Sequence, residues 1–410
     1  MSRRLLVPSR LALKVPSPMS RAAVSRLLVL ALVVAGLTVL GAGSALASHV
    51  GCGDTVTADT TLDSDLVNCP NNGIVIGADN ITLDLNGHTI DGDGRLTEDC
   101  GDDEICDDGV VNDGHSGVTI EGGSVREFAL GVLVVGARHN RLLDLSVTRN
   151  MFPGLVVANS PRAQVEGNVV AANGLHTDEA GVVLFASPHS RIARNSILDN
   201  GDIGLFAPIA DDTVFERNLL SGNPEAGILI DQSNHNLFRH NRLSRNGEGI
   251  TIAGNRNVIT QNFVSDSRAG LPGEGGGLGI FVAAGRDNLV EGNIVVRTDR
   301  AGIQVSLLPE ELEGGPPAVN TVVRHNHLRG NQDGVFVQTT ARGTRIEGNH
   351  AVGADDDGID VDSSATTLIG NHAVHNGDLG IEAVPGVTDG GGNHAAANGN
   401  PAQCTNVACT

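Results

Sequence analysis

Apolar residues in this chain fall into short alternating runs, not helical stripes. A glycine followed by apolar-x-apolar recurs eleven times, from Gly131 and Gly154 through Gly181, Gly204, Gly227, Gly249, Gly279, Gly302, Gly334 and Gly358 to Gly380, mostly 22 to 24 residues apart. Earlier glycines, Gly73 and Gly109, open similar runs. Alternation with period two puts successive side chains on opposite faces of a strand. Between these runs an asparagine precedes a second apolar step, from Asn168 and Asn195 onward to Asn393. A second asparagine often follows five residues later, as at Asn173, Asn200, Asn223, Asn246, Asn331, Asn376 and Asn398. A period this short cannot hold a helix pair but fits one coil of a parallel β-solenoid with three short strands. The count predicts about 13 coils. Inward asparagines stacked one per coil, about 4.8 Å apart, would bond to each other and to the turn backbone.

The repeat N-x-Φ-x-x-N…G-Φ-x-Φ (Φ apolar) resembles that of the right-handed parallel β-helix proteins of the pectate-lyase-like superfamily, over roughly residues 70–400. The opening stretch GIVIGADNITLDLNGHTIDGDG (73–94) is similar to the first coils of NosD-like exported β-helix proteins. The resemblance implies an all-β fold, a single-stranded right-handed parallel β-helix. It also implies a role drawn from a wide set, since this fold hosts lyases, hydrolases, epimerases, adhesins and inert spacers. NosD-likeness implies copper handling.

The ends of the chain follow different rules. Arginines precede the apolar run LLVLALVVAGLTVL (27–40), which ends in the small-residue stretch SALA (44–47). So short a run with that ending predicts a signal peptide over 1–47 and an exported protein, secreted, periplasmic or at the cell surface, with no membrane span after cleavage. Counted from Met19 instead of Met1, the leader has an ordinary length. Beyond it we expect an N-terminal cap and first coils over 48–108, β-helix repeats over 109–384 and a C-terminal coil and cap over 385–410. Six cysteines form local pairs near the ends: Cys52 with Cys69, Cys100 with Cys106, Cys404 with Cys409. In an exported protein that pattern predicts disulfide-stapled ends, including a closed flap at 95–106. Three coils carry inserts, at 174–180, 267–278 and 306–320, which a solenoid displays as loops.

Charge narrows the partners. Residues 1–47 hold six basic residues and no acidic one, so their loss takes the net charge from −21 to −27. That balance excludes nucleic acid and anionic membrane as partners. Lys14 is the only lysine and there is no Trp or Tyr, so lysine chemistry and sugar stacking on Trp or Tyr are excluded.

Candidate chemistry lies on outward-facing positions. In G-Φ-x-Φ the x faces out, and along the rod it reads Leu133, Val156, Val183, Phe206, Leu229, Thr251, Phe281, Gln304, Phe336, Asp360, Glu382. The first eight or so coils are expected to expose an apolar stripe able to take a protein partner. Toward the C-terminus Gln304, Gln338, Asp360, Asp362 and Glu382 converge, with Asp355, Asp356 and Asp357 in the turn before them. Carboxylates this crowded raise one another's pKa or share a cation, most simply calcium at Asp355, Asp356, Asp360, Asp362 and Glu382. As a catalytic set Asp360, Glu382 and Asp357 would act on an extracellular polysaccharide by lyase, hydrolase or epimerase chemistry. DDDGID (355–360) followed by GDLG (377–380) resembles the polygalacturonase pattern, but Leu379 stands where its third Asp belongs. The Asp-Pro-His-Glu motif of mannuronan epimerases is absent, so no catalytic signature is intact. A separate pattern puts His327, His350, His372 and His394 directly after a ladder asparagine on four successive coils. Facing outward, they would form an imidazole row suited to copper or zinc.

Overall fold

The computed structural model describes residues 49–95, 107–175, 179–269, 276–307 and 316–410. Cys100 and Cys106, most of the expected flap and the centres of the three inserts lie outside the described residues, as does the segment read as a signal peptide. The compact unit Val50–Thr410 is all-β. Its strands form three parallel sheets, each taking one strand from every coil. The coils number fourteen, one more than the glycine repeat predicts. The extra coil begins at Asp54–Val56, where the strand lacks the glycine-apolar signature.

The register is regular, and that regularity makes the core. In the first sheet the residue after each glycine pairs with its counterpart one coil on, as in Val132 with Leu155 and Ile359 with Ile381. These side chains, and the central residues of the other two sheets, stack as buried rows mostly of Val, Ile and Leu, with Ala351, Ala373 and Ala395 closing the row of the third sheet. Branched side chains suit this because a pleated surface packs them at one strand spacing. Phe215 and Phe238 continue one row as parallel rings 4.7 Å apart. The glycine itself answers to crowding: a Cβ at Gly358 would lie 2.6 Å from both the Gly380 carbonyl oxygen and Asn376 Nδ2.

The asparagine ladder is present and unbroken. From Asn168 to Asn371 each Nδ2 donates to the Oδ1 of the next coil's ladder asparagine, at 2.9–3.2 Å, ending on Asn393. The same Nδ2 groups also donate to backbone carbonyls, such as that of Phe215 from Asn241. The corner before each ladder asparagine takes a left-handed residue: Arg194, Arg217, His240, Gln261 and His325 have φ of 52–56°. Such a conformation costs about 1 kcal/mol or more for a non-glycine residue. The buried amide bonds beside it offset that cost, so the corner tolerates Arg, His and Gln.

Both ends are closed. Cys52–Cys69 staples the first coil, and Cys404–Cys409 closes a short loop within the C-terminal tail. The tail bridges the final strands at Ile381–Cys404 and Asn393–Cys409. An open sheet edge would invite association, and this tail covers it.

Candidate functional site

The acidic coils occupy the first sheet near its C-terminal end. Phe336, Asp360 and Glu382 are register partners on three successive strands, Val335–Val337, Ile359–Val361 and Ile381–Ala383. Their neighbours in each strand are core residues, so alternation sends these three outward. Phe336 is half-buried against Leu278, Phe281, Ala283 and Ala301. Asp360 and Asp362 are half-buried and Glu382 is exposed.

The turn leading into the Asp360 strand brings in more carboxylates. Asp355 and Asp356 are exposed, whereas Asp357 is buried and accepts the Leu379 N–H at 2.7 Å. Asp333 holds the same repeat position one coil earlier and accepts the Asp357 N–H at 3.3 Å. Asp333, Asp356 and Asp357 each place an oxygen within 4.8 Å of the others. Asp333 was missing from the sequence reading, although its place directly before Gly334 matches that of Asp357 before Gly358. Of the residues expected to hold calcium, Asp356 alone joins that tight group; Asp355, Asp360, Asp362 and Glu382 do not.

Crowding and burial shift the titration of these groups. Burial foremost, then the nearby Asp362, Asp333, Asp357 and Glu382, pushes the Asp360 carboxyl up to about 8. Burial also raises Asp357 to about 7, with Glu382 and Asp356 adding to it against the Leu379 N–H. Burial raises Asp333 to about 6, opposed first by the Asp357 N–H it accepts and last by the Arg300 guanidinium. Asp362 is raised by burial and by Glu382. A lyase would need a cationic side chain near these acids, and the Arg300 guanidinium is felt by this cluster; Arg329 lies on the third sheet and the exposed Arg342 bridges Val319.

Two expectations about this face need correction. Gln304 and Gln338 do not join an open site, since both are 2% exposed. Gln304 instead donates to the Ser306 carbonyl within its own chain segment. The expected apolar stripe is likewise not an exposed one. Val183 is 2%, Val156 6% and Phe281 8% exposed. Val156 and Val183 belong to a separate apolar cluster with Ala158, Ala180, Ile203 and Ala226, packed by Leu133, Phe185, Phe206 and Leu229. Apolar side chains in register one strand spacing apart screen each other, which a single-coil reading of outward positions overlooks.

The histidines stand elsewhere, on the outer face of the third sheet. His327, His350, His372 and His394 are consecutive register partners. Ring centroids are 5.7 Å apart for the first pair and 4.7 Å for the next two, which stack. His327 is exposed and the others are half-buried. Burial and then the neighbouring rings hold His350 and His372 below the usual imidazole range. No helix among the described residues is long and apolar enough to cross a membrane.

A family model described as "Right handed beta helix region" matches residues 108–264 and 207–376, more than half of the chain. The chain belongs to the right-handed β-helix family. No curated protein matches this β-helix chain. Among solved structures it is similar to the alginate lyase AlyF-OU02 in complex with G6, at 13% identity and TM-score 0.50, covering 83% of this chain and 81% of that one. It is also similar to the periplasmic alginate epimerase AlgG, at 13% identity and TM-score 0.49, covering 78% and 77%. A third is PfbA, a surface adhesin of Streptococcus pneumoniae, at 11% identity and TM-score 0.48, covering 81% and 83%. At such identities the shared feature is the β-helix fold.

Proposed function

We propose that this is an exported β-helix protein that recognises or processes polysaccharide at the acidic C-terminal coils of its first sheet. The observation that carries the reading is the column Phe336–Asp360–Glu382, in register on adjacent strands, with Asp333 and Asp357 at its edge. A half-buried aromatic ring beside convergent carboxyls offers what a sugar needs: an apolar face for its C–H groups and acceptors for its hydroxyls. Asp360 retains a proton near neutral pH and can donate to a glycosidic or carboxylate oxygen, and Asp357 can do so while no cation is bound. Glu382, exposed one strand from Asp360, completes the catalytic set we assign.

Calcium belongs to the proposal. Its oxygen ligands sit at about 2.3–2.6 Å, so any two on one ion lie within about 5 Å. Asp333, Asp356 and Asp357 meet that limit, with Asp355, Asp360, Asp362 and Glu382 around them. A bound cation would let a protein this acidic accept a polyuronate that its own charge repels. The similarity to alginate-active and surface β-helix proteins and the disulfides at both ends agree with an extracellular setting.

The test is a binding and turnover screen on neutral and uronate-rich polysaccharides, with and without calcium. Asp360→Asn/Glu382→Gln and Asp333→Asn/Asp357→Asn serve as controls. We expect calcium-dependent association with a uronate polymer, lost in both variants, with new product ends if the site is catalytic. Association that survives both double substitutions would place the glycan elsewhere and overturn the reading.

A further inference from the structure

We propose that the histidine ladder of the third sheet is a site for a borderline divalent cation, Cu²⁺ or Zn²⁺, with His372 as its central ligand. The fold does not select histidine there. On upstream coils the same outward position, directly after the ladder asparagine, holds Val169, Ser196, Leu219, Arg242, Phe263 and Ile294. Apolar, polar and charged residues all serve, so four consecutive histidines answer to something other than packing.

The geometry answers to a metal. Strict register sets the four rings on adjacent strands, and His372 stands between two stacked rings, each with its centroid 4.7 Å away. Its Nδ1 is buried and has no hydrogen-bond partner. A buried ring nitrogen left unpaired loses its hydration without replacement, a cost that a coordinate bond removes. Other histidines behave differently: His88, His115, His189 and His325 lie within 4.0 Å of a carboxylate, whereas no ladder histidine does so among the described residues. The ladder is thus an array of imidazoles with no anionic partner of its own.

Imidazole nitrogens bind zinc or copper at about 2.0–2.1 Å, so two on one ion lie about 3–4 Å apart. Rings whose centroids are 4.7 Å apart reach that separation by tilting about their own side-chain bonds. His372 with His350 or with His394 therefore chelates one ion, and water fills the remaining positions. Nitrogen ligands favour copper and zinc over calcium, which distinguishes this site from the carboxylates on the first sheet. The proposal stands independently of any glycan binding there.

The experiment titrates the protein with Cu²⁺ and, separately, Zn²⁺, followed by calorimetry and, for copper, by the nitrogen couplings in its electron paramagnetic resonance spectrum. His372→Ser places at this position the residue already found there in the coil of Ser196. We expect it to weaken binding by more than about tenfold, since even outer-shell partners of a metal ligand cost that much. His327→Ser should weaken it less, and Asp333→Asn/Asp357→Asn should leave it unchanged. Unaltered affinity in His372→Ser, or affinity lost in the acidic double variant, would overturn the proposal. In the unsubstituted protein, zinc should shield the ladder rings from carbethoxylation; modification at an equal rate with and without zinc also overturns it.

Discussion

Two stretches of the same sheet carry opposite chemistry on the same scaffold. From Leu133 to Leu229 the outward positions of the first sheet are apolar and pack into a cluster of their own. From Phe336 to Glu382 they turn acidic, and three carboxyls there titrate near neutrality. Backbone pairing and the asparagine ladder are the same in both, whereas the inward row of the third sheet shrinks from Val147, Val170, Ile197 and Leu220 to Ala351, Ala373 and Ala395. The outward position is therefore free of the fold's demands: in one region it supplies cohesion, and in the other it carries the carboxyls to which we assign ligand recognition.

The largest effect that can break this comparison is a charge placed in the apolar region. Val183→Asp buries an unpaired carboxylate and should cost at least about 3 kcal/mol, read from the denaturant midpoint. The converse, Asp360→Val, removes a crowded carboxyl and should raise the midpoint at pH 8. If both changes were equally harmful, the two regions would not differ in kind.

Calcium should act on one region alone. At a hundredfold excess over its Kd it should stabilise the protein by about 2.7 kcal/mol. Asp356→Asn/Asp357→Asn should abolish that gain, and Val156→Ala should leave it intact. A thermal midpoint indifferent to calcium would remove the cation from the site.

The ladder should be blind to the comparison. Asn218→Ala beneath the apolar region and Asn371→Ala beneath the acidic one each strip four side-chain bonds from buried partners. Each should cost about 2 kcal/mol, because the groups left behind stay buried and unpaired. Unequal costs would mean that the scaffold itself changes along the rod.

The last comparison is pH dependence, which belongs to the acidic region. A carboxyl whose folded pKa lies above its unfolded value binds more protons folded than unfolded. Stability then falls as pH rises from the ordinary carboxylate range, near 4, through the raised values of about 6 to 8 at Asp333, Asp357 and Asp360. Without calcium the thermal midpoint should drop by a few degrees from pH 5 to pH 8. In Asp333→Asn/Asp357→Asn/Asp360→Asn, most of that slope should vanish. Asp108, raised by burial to about 7 far from this site, keeps a residual slope of the same sign.

Much of this was legible in the repeat. Gly131 to Gly380 and the asparagines following them locate the strands and corners, because a fold held by identical neighbours writes the same demands into every period. The Asp360–Glu382 pairing and the histidine row came from the same counting. Asp333 escaped notice because it stands alone in its coil, with no acidic run to mark it. The burial of Gln304 and Val183 escaped as well, since exposure depends on what neighbouring coils place beside a residue.

By itself, then, the sequence determined the β-helix, its register and which side chains face out, since period two and a repeat near 22 leave no other arrangement that buries the apolar rows. Only the tertiary structure decided how far those outward groups lie from water, which carboxylates share one pocket of charge and how closely the imidazoles stack. Those properties arise between coils, from side chains distant in sequence that one strand spacing brings together.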